Sequence, residues 1–89
     1  MNKHLNIKVF GRVQGVFFRD SVGRKAEEWG IRGFVRNESD GSVYIEAEGP
    51  EEALEKLVNW CWEGPEFAKV TRVEIEEGDI KEFENFQVR

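Results

Sequence analysis

The nine residues Gly11-Arg12-Val13-Gln14-Gly15-Val16-Phe17-Phe18-Arg19 decide how the rest of the chain is read. Before them, Leu5-Asn6-Ile7-Lys8-Val9 alternates apolar and polar side chains, the period of a strand over residues 4–10. After them, Val22, Ala26 and Trp29 recur at spacings of four and three, the apolar stripe of a helix over Asp20 to Trp29. A glycine-interrupted turn between a strand and a helix leaves backbone N–H groups without intrachain partners, at the positive end of the helix dipole. Arg19 stands where the turn becomes helix, so its guanidinium can close over the same anion with paired, charge-assisted hydrogen bonds. The stretch reads as an anion cradle of backbone amides and one arginine. On spacing alone it also fits an ordinary connecting turn followed by a solvated arginine. It is neither a nucleotide P-loop, since no Gly-Lys-Ser/Thr follows, nor a Gly-x-Gly-x-x-Gly dinucleotide turn.

Working outward, Gly30 supplies a left-handed stop for the first helix, and Ile31 to Asn37 reads as a second strand. Glu38-Ser39-Asp40-Gly41 has hairpin-turn chemistry, and Val43, Ile45 and Ala47 alternate with Tyr44, Glu46 and Glu48 in a third strand. Gly49-Pro50-Glu51-Glu52 opens a second helix, because proline fits a first turn and two acids complement the dipole. Ala53, Leu54, Leu57, Val58 and Cys61 form its apolar face, and Gly64-Pro65 ends it. A fourth strand spans about residues 68–77 and a short last one 86–89. The order β-α-β-β-α-β predicts an α+β, ferredoxin-like sandwich, an antiparallel sheet with two helices on one face.

Eighty-nine residues predict one domain over residues 1–89. A lone cysteine cannot form an internal disulfide and fits a reducing compartment. No signal-like apolar core or membrane-length run is present, so a soluble, cytoplasmic protein is the expectation. The net charge of −5 is divided unevenly: residues 1–36 carry eight Lys/Arg against three Asp/Glu, residues 37–89 five against fifteen. The basic half holds the cradle and favours a small anion there. The acidic half opposes nucleic-acid binding, which needs a continuous basic face.

The inventory excludes several chemistries. His4, the only histidine, cannot build a zinc site alone, and Cys61 sits on an apolar helix stripe as a structural thiol. Ser21 has no neighbouring base, and the pairs Glu27-Glu28, Glu51-Glu52 and Glu76-Glu77 lack calcium-loop spacing. Asn37 shares side-chain parity with Gly33 and Val35, so its amide needs a partner. It can find one in its own backbone by starting the Asn-Glu-Ser-Asp-Gly turn.

The stretch Gly11–Arg19 resembles the signature of the acylphosphatase family. Gly33-Phe34-Val35-Arg36-Asn37, followed by Asp40-Gly41-Ser42, is similar to that family's second signature. The likeness extends through Glu48-Gly49-Pro50, Gly64-Pro65 and the closing Phe86-Gln87-Val88-Arg89. It implies hydrolysis of acyl phosphates to a carboxylate and inorganic phosphate, without metal or cofactor; a monomer is the expectation for the chain. It further implies that Arg19 and the amides of Gly15, Val16, Phe17, Phe18 and Arg19 bind the phosphate, and that Asn37 orients the attacking water. Phe17 stands where many relatives have glycine. Ser42 is expected to support the hairpin. The competing reading is a non-catalytic anion-binding or partner-recognition module of the same fold. A single-stranded RNA binder would need exposed aromatics on a basic sheet, which the acidic half opposes.

Overall fold

The first strand is longer than its alternation alone suggests, because it pairs on both sides. In the computed structural model, which describes residues 1–89, β1 (Asn2–Arg12) lies between β3 (Val43–Pro50) and β4 (Lys69–Gly78), antiparallel to both. The remaining elements are α1 (Phe18–Glu28), β2 (Arg32–Asn37), α2 (Glu51–Glu63) and β5 (Phe86–Val88), and the strand order is β4-β1-β3-β2-β5. The ferredoxin-like arrangement holds, with one amendment: the sheet is mixed. β5 runs parallel to β2, Gly33 facing Phe86 and Val35 facing Val88. The chain must cross from one edge of the sheet to the other to get there, and it arrives travelling in the same direction as β2.

The period-two pattern fixes which face is which. Ile7 and Val9 on β1, Val35 on β2, and Val43, Ile45 and Ala47 on β3 are all buried, packed with Val22 and Ala26 of α1 and Leu54, Leu57 and Cys61 of α2. Trp29 and Val58 are only partly buried against this core. Burial pushes the Cys61 thiol up to about 12, which keeps it an uncharged core side chain. Near its far end β1 needs Gly11: the register with β4 shifts between Phe10 and Gly11, and a Cβ there would collide with the Lys69 carbonyl oxygen.

The opposite face carries the even positions His4, Glu46 and Glu48, which alternation assigns to solvent. They are buried. The crossing segment 79–85 covers them and is fastened there by polar bonds. Glu48 accepts the backbone N–H of Lys81 at 2.5 Å and of Phe83 at 3.0 Å, and lies 2.6 Å from His4 Nδ1. His4 Nε2 lies 2.9 Å from Asn6 Oδ1 and 3.2 Å from Glu46 Oε1, and Lys81 Nζ donates to Glu46 at 2.9 Å. Phe83 stacks on the His4 ring and meets Phe34 edge-on. Every buried side-chain polar atom has a partner, as the cost of leaving one unpaired demands.

Burial pushes the Glu48 carboxyl up, but hydrogen bonds from Lys81, His4 and Phe83 outweigh it and hold the group below its ordinary 4.5. Glu46 is lowered in the same way: burial opposes, and Lys81 and Tyr44 win. A carboxyl lowered in the folded state binds protons more readily when unfolded. Its stabilising contribution is complete above that ordinary value and is lost as pH falls through the folded one. Glu48→Gln is therefore expected to lower the melting temperature at neutral pH and to flatten its fall between roughly pH 5 and pH 3. Thermal unfolding across that range checks this, and an unchanged acid limb would show that Glu48 is not a source of the acid sensitivity.

Candidate active site

The turn joining β1 to α1 is pinned by three buried side chains. Val13, Val16 and Phe18 are buried, and Phe18 packs against Trp60 of α2 with ring centroids 5.2 Å apart. Between these anchors the backbone takes left-handed conformations at Gly15 (φ 74°) and Phe17 (φ 66°). A Cβ on Gly15 would meet nothing within 4 Å, so glycine is required by its backbone angle and not by crowding. The helix begins two residues earlier than its apolar stripe indicates, at Phe18, with Phe17 as N-cap and no side-chain cap bond. Of the ten backbone hydrogen bonds outside the regular elements, none is donated by residues 15–20. Several amides at the positive end of α1 are therefore left for an external acceptor.

These residues line a cleft of about 270 Å³ formed by Val13, Gly15, Phe17, Phe18, Arg19, Asp20 and Asn37. It brings together Arg19 and Asn37, which come from different elements. Val16 is not part of the lining; its side chain belongs to the core. A roomier groove between α2 and β4 has no comparable set of converging donors: its polar rim is Lys3, Asn59 and the carboxylates of Glu51, Glu55 and Glu77, and Lys3 is already paired with Glu51 and Glu77.

Arg19 is held from the far end of the chain. Its Nη1 donates to the Arg89 carbonyl oxygen at 2.5 Å. Arg89 is fixed in turn by its own N–H to the Val35 carbonyl at 2.8 Å and by its guanidinium 4.1 Å above the Phe34 ring. One corner of the Arg19 guanidinium is thus tethered, and its remaining donors are free of intrachain bonds.

Asn37 is exposed at the end of β2 and does not start the following turn. That work falls to Asp40, whose Oδ1 accepts the Ser42 amide at 3.0 Å and the Ser42 hydroxyl at 2.6 Å. These two bonds, then Lys8, hold the Asp40 carboxyl well below the usual carboxylate range. Ser42 supports the hairpin as expected. The hairpin is also tied to the cradle by Gln14, whose Nε2 donates to the carbonyls of Glu38 at 2.8 Å and Ser42 at 2.9 Å. Sequence reasoning passed over Gln14, the Arg89 tether and Asp20 on the cleft wall. The position of Gln14 between two cradle residues was the available signal.

With this geometry in view, likeness to known proteins is informative. A family model described as Acylphosphatase matches residues 5–88. An acylphosphatase of Salinibacter ruber is 48% identical over 88 residues, covering 98% of this chain and 93% of the relative. The solved acylphosphatase of Coxiella burnetii superposes with a TM-score of 0.96 at 42% identity, covering 99% of this chain and 93% of that one. That of Bacillus subtilis does so at 0.95 and 39%, covering 100% and 99%. The fold, the cleft and these relatives define a small hydrolase of the acylphosphatase class. The chain belongs to the acylphosphatase family.

Gln14→Leu removes two bonds that set the hairpin against the cradle. It is expected to lower turnover of an acyl phosphate about tenfold, with a smaller change in inhibition by inorganic phosphate. Equal losses in both measurements would place its effect on the cradle and not on Asn37.

Proposed function

We propose that the cleft hydrolyses acyl phosphates by positioning and electrostatics, with no protein group acting as base. The observation that carries this is the convergence on one cleft of Arg19, Asn37 and the left-handed turn at Gly15–Phe17. In this reading the amides of Gly15, Val16, Phe17, Phe18 and Arg19, with the Arg19 guanidinium, bind the phosphate oxygens. Asn37 holds a water by its side-chain amide. The water oxygen forms a bond to phosphorus, the bond from phosphorus to the acyl oxygen breaks, and the electron pair leaves with the carboxylate. The water's proton passes to a phosphate oxygen of the substrate.

Chemical character supports this division of labour. A guanidinium stays protonated and an amide does not titrate, so neither serves as a base. A carboxylate is a good leaving group without prior protonation. The amides and guanidinium face the oxygens on which negative charge develops. No helix is long and apolar enough to cross a membrane.

The test is phosphate release from benzoyl phosphate with EDTA present. Arg19→Ala should lose most activity, since a stabilising contact of this kind is worth about 3 kcal/mol. Asn37→Ala should lose turnover while keeping phosphate inhibition. Asp20→Asn should keep turnover, and a large loss there would make Asp20 the base. Near-full activity in Arg19→Ala would refute the assignment of the site. A folded wild type that binds phosphate without turnover would favour the binding-module reading instead.

A further inference from the structure

Two adjacent phenylalanines in the cradle have opposite fates. Phe18 is buried in the core against Trp60, whereas Phe17 is 70% exposed and takes part in no aromatic pair and no core contact. Phe17 nevertheless lines the cleft beside Arg19 and Asn37. Its backbone is left-handed, φ 66° and ψ 22°, a conformation that strains a residue with a Cβ. The cradle's geometry explains the angle but not the ring. Glycine would meet the same angle without strain and without presenting an apolar surface to water. The ring stands at the mouth of an otherwise polar site, and nothing within the chain uses it.

The walls of the cleft divide by chemistry. Gly15, Arg19 and Asn37 form the polar side, and Val13, Phe17 and Phe18 the apolar one, with Phe17 the only exposed member of the three. A substrate whose phosphate occupies the polar side must project its acyl group out of the mouth. Arg19 is the only cation in the lining and Asp20 adds an opposing charge, so no second cation is present there to bind an acidic acyl group. We propose that Phe17 is the acyl-contacting residue of the cleft, selecting acyl phosphates whose acyl group is aromatic or extended and apolar. This rests on the hydrolase reading above and deepens it by naming a substrate class. The ring contributes stacking and apolar burial. Both are made with the bound substrate before reaction as well as during it, so the preference belongs mainly in KM.

The experiment compares kcat/KM for benzoyl phosphate and acetyl phosphate in wild type, Phe17→Ala, Phe17→Gly and Phe17→Tyr. Any effect of the substitution on the shared phosphate site enters both substrates and cancels in their ratio. The benzoyl-over-acetyl preference is expected to fall about tenfold in Phe17→Ala and Phe17→Gly, chiefly through KM, and to return in Phe17→Tyr. Phe17→Gly also relieves the strained angle, so a folded variant without the ring is available. An unchanged ratio in both truncations, whatever happens to the absolute rates, would overturn the proposal while leaving the hydrolase reading standing. Hydrolysis of neither substrate by wild type would remove the hydrolase reading and this inference with it.

Discussion

The constraint on which the site depends is the chain reversal between β1 and α1. The backbone has five residues, 13–17, in which to leave a central strand and begin a helix on the sheet's apolar face. Burying Val13, Val16 and Phe18 anchors it at three points. The intervening residues then have no choice but left-handed angles at Gly15 and Phe17. The same path that secures the turn to the core leaves its amides unpaired at the positive end of a helix. Packing and a row of unpaired amides are here two results of one local geometry, which is why the cleft needs no dedicated loop.

The rest of the molecule holds partners against that turn. Gln14 reaches the β2–β3 hairpin at Glu38, next to Asn37, and at Ser42, so the hairpin is bonded to the turn as well as paired in the sheet. Arg19 is met from the other side by Arg89, itself fixed to Val35 and stacked on Phe34. These supports determine how far each polar group can drift, and catalysis by placement is sensitive to displacements of about an ångström.

Much of this was legible in the sequence because the signals were periodic or stereochemical. The alternation in Leu5–Val9 and Val43–Ala47 located central strands, and the stripe of Val22 and Ala26 located α1. The glycines at 15 and 30 do take positive φ. The role suggested for Asn37 in starting its turn was wrong, because Asp40 reaches Ser42 more directly. The direction of β5 could not be read, since three residues carry no pairing information and the partner is set by a crossing segment. Burial of His4, Glu46 and Glu48 was hidden for the same reason. Local alternation assigns side chains to a face, but it cannot say whether distant chain will later cover that face. Gln14 and Arg89 act through backbone carbonyls, which leave no mark on the sequence of the residues they contact.

The crossing segment also imposes an order on assembly. Its anchors, Glu48 on β3 and His4 on β1, come together only when those strands have paired across more than forty residues of intervening chain. Segment 79–85 has no surface to lie on until then, and β5 cannot align with β2 before the segment is laid. Pairings between distant parts of a chain are slow to form because loop closure precedes their reward. The tether from Arg89 to Arg19 therefore depends on contacts between the most distant parts of the chain. Whatever loosens the clasp at His4 and Glu48 thus also bears on the far edge of the sheet, where the last residue holds one corner of the Arg19 guanidinium.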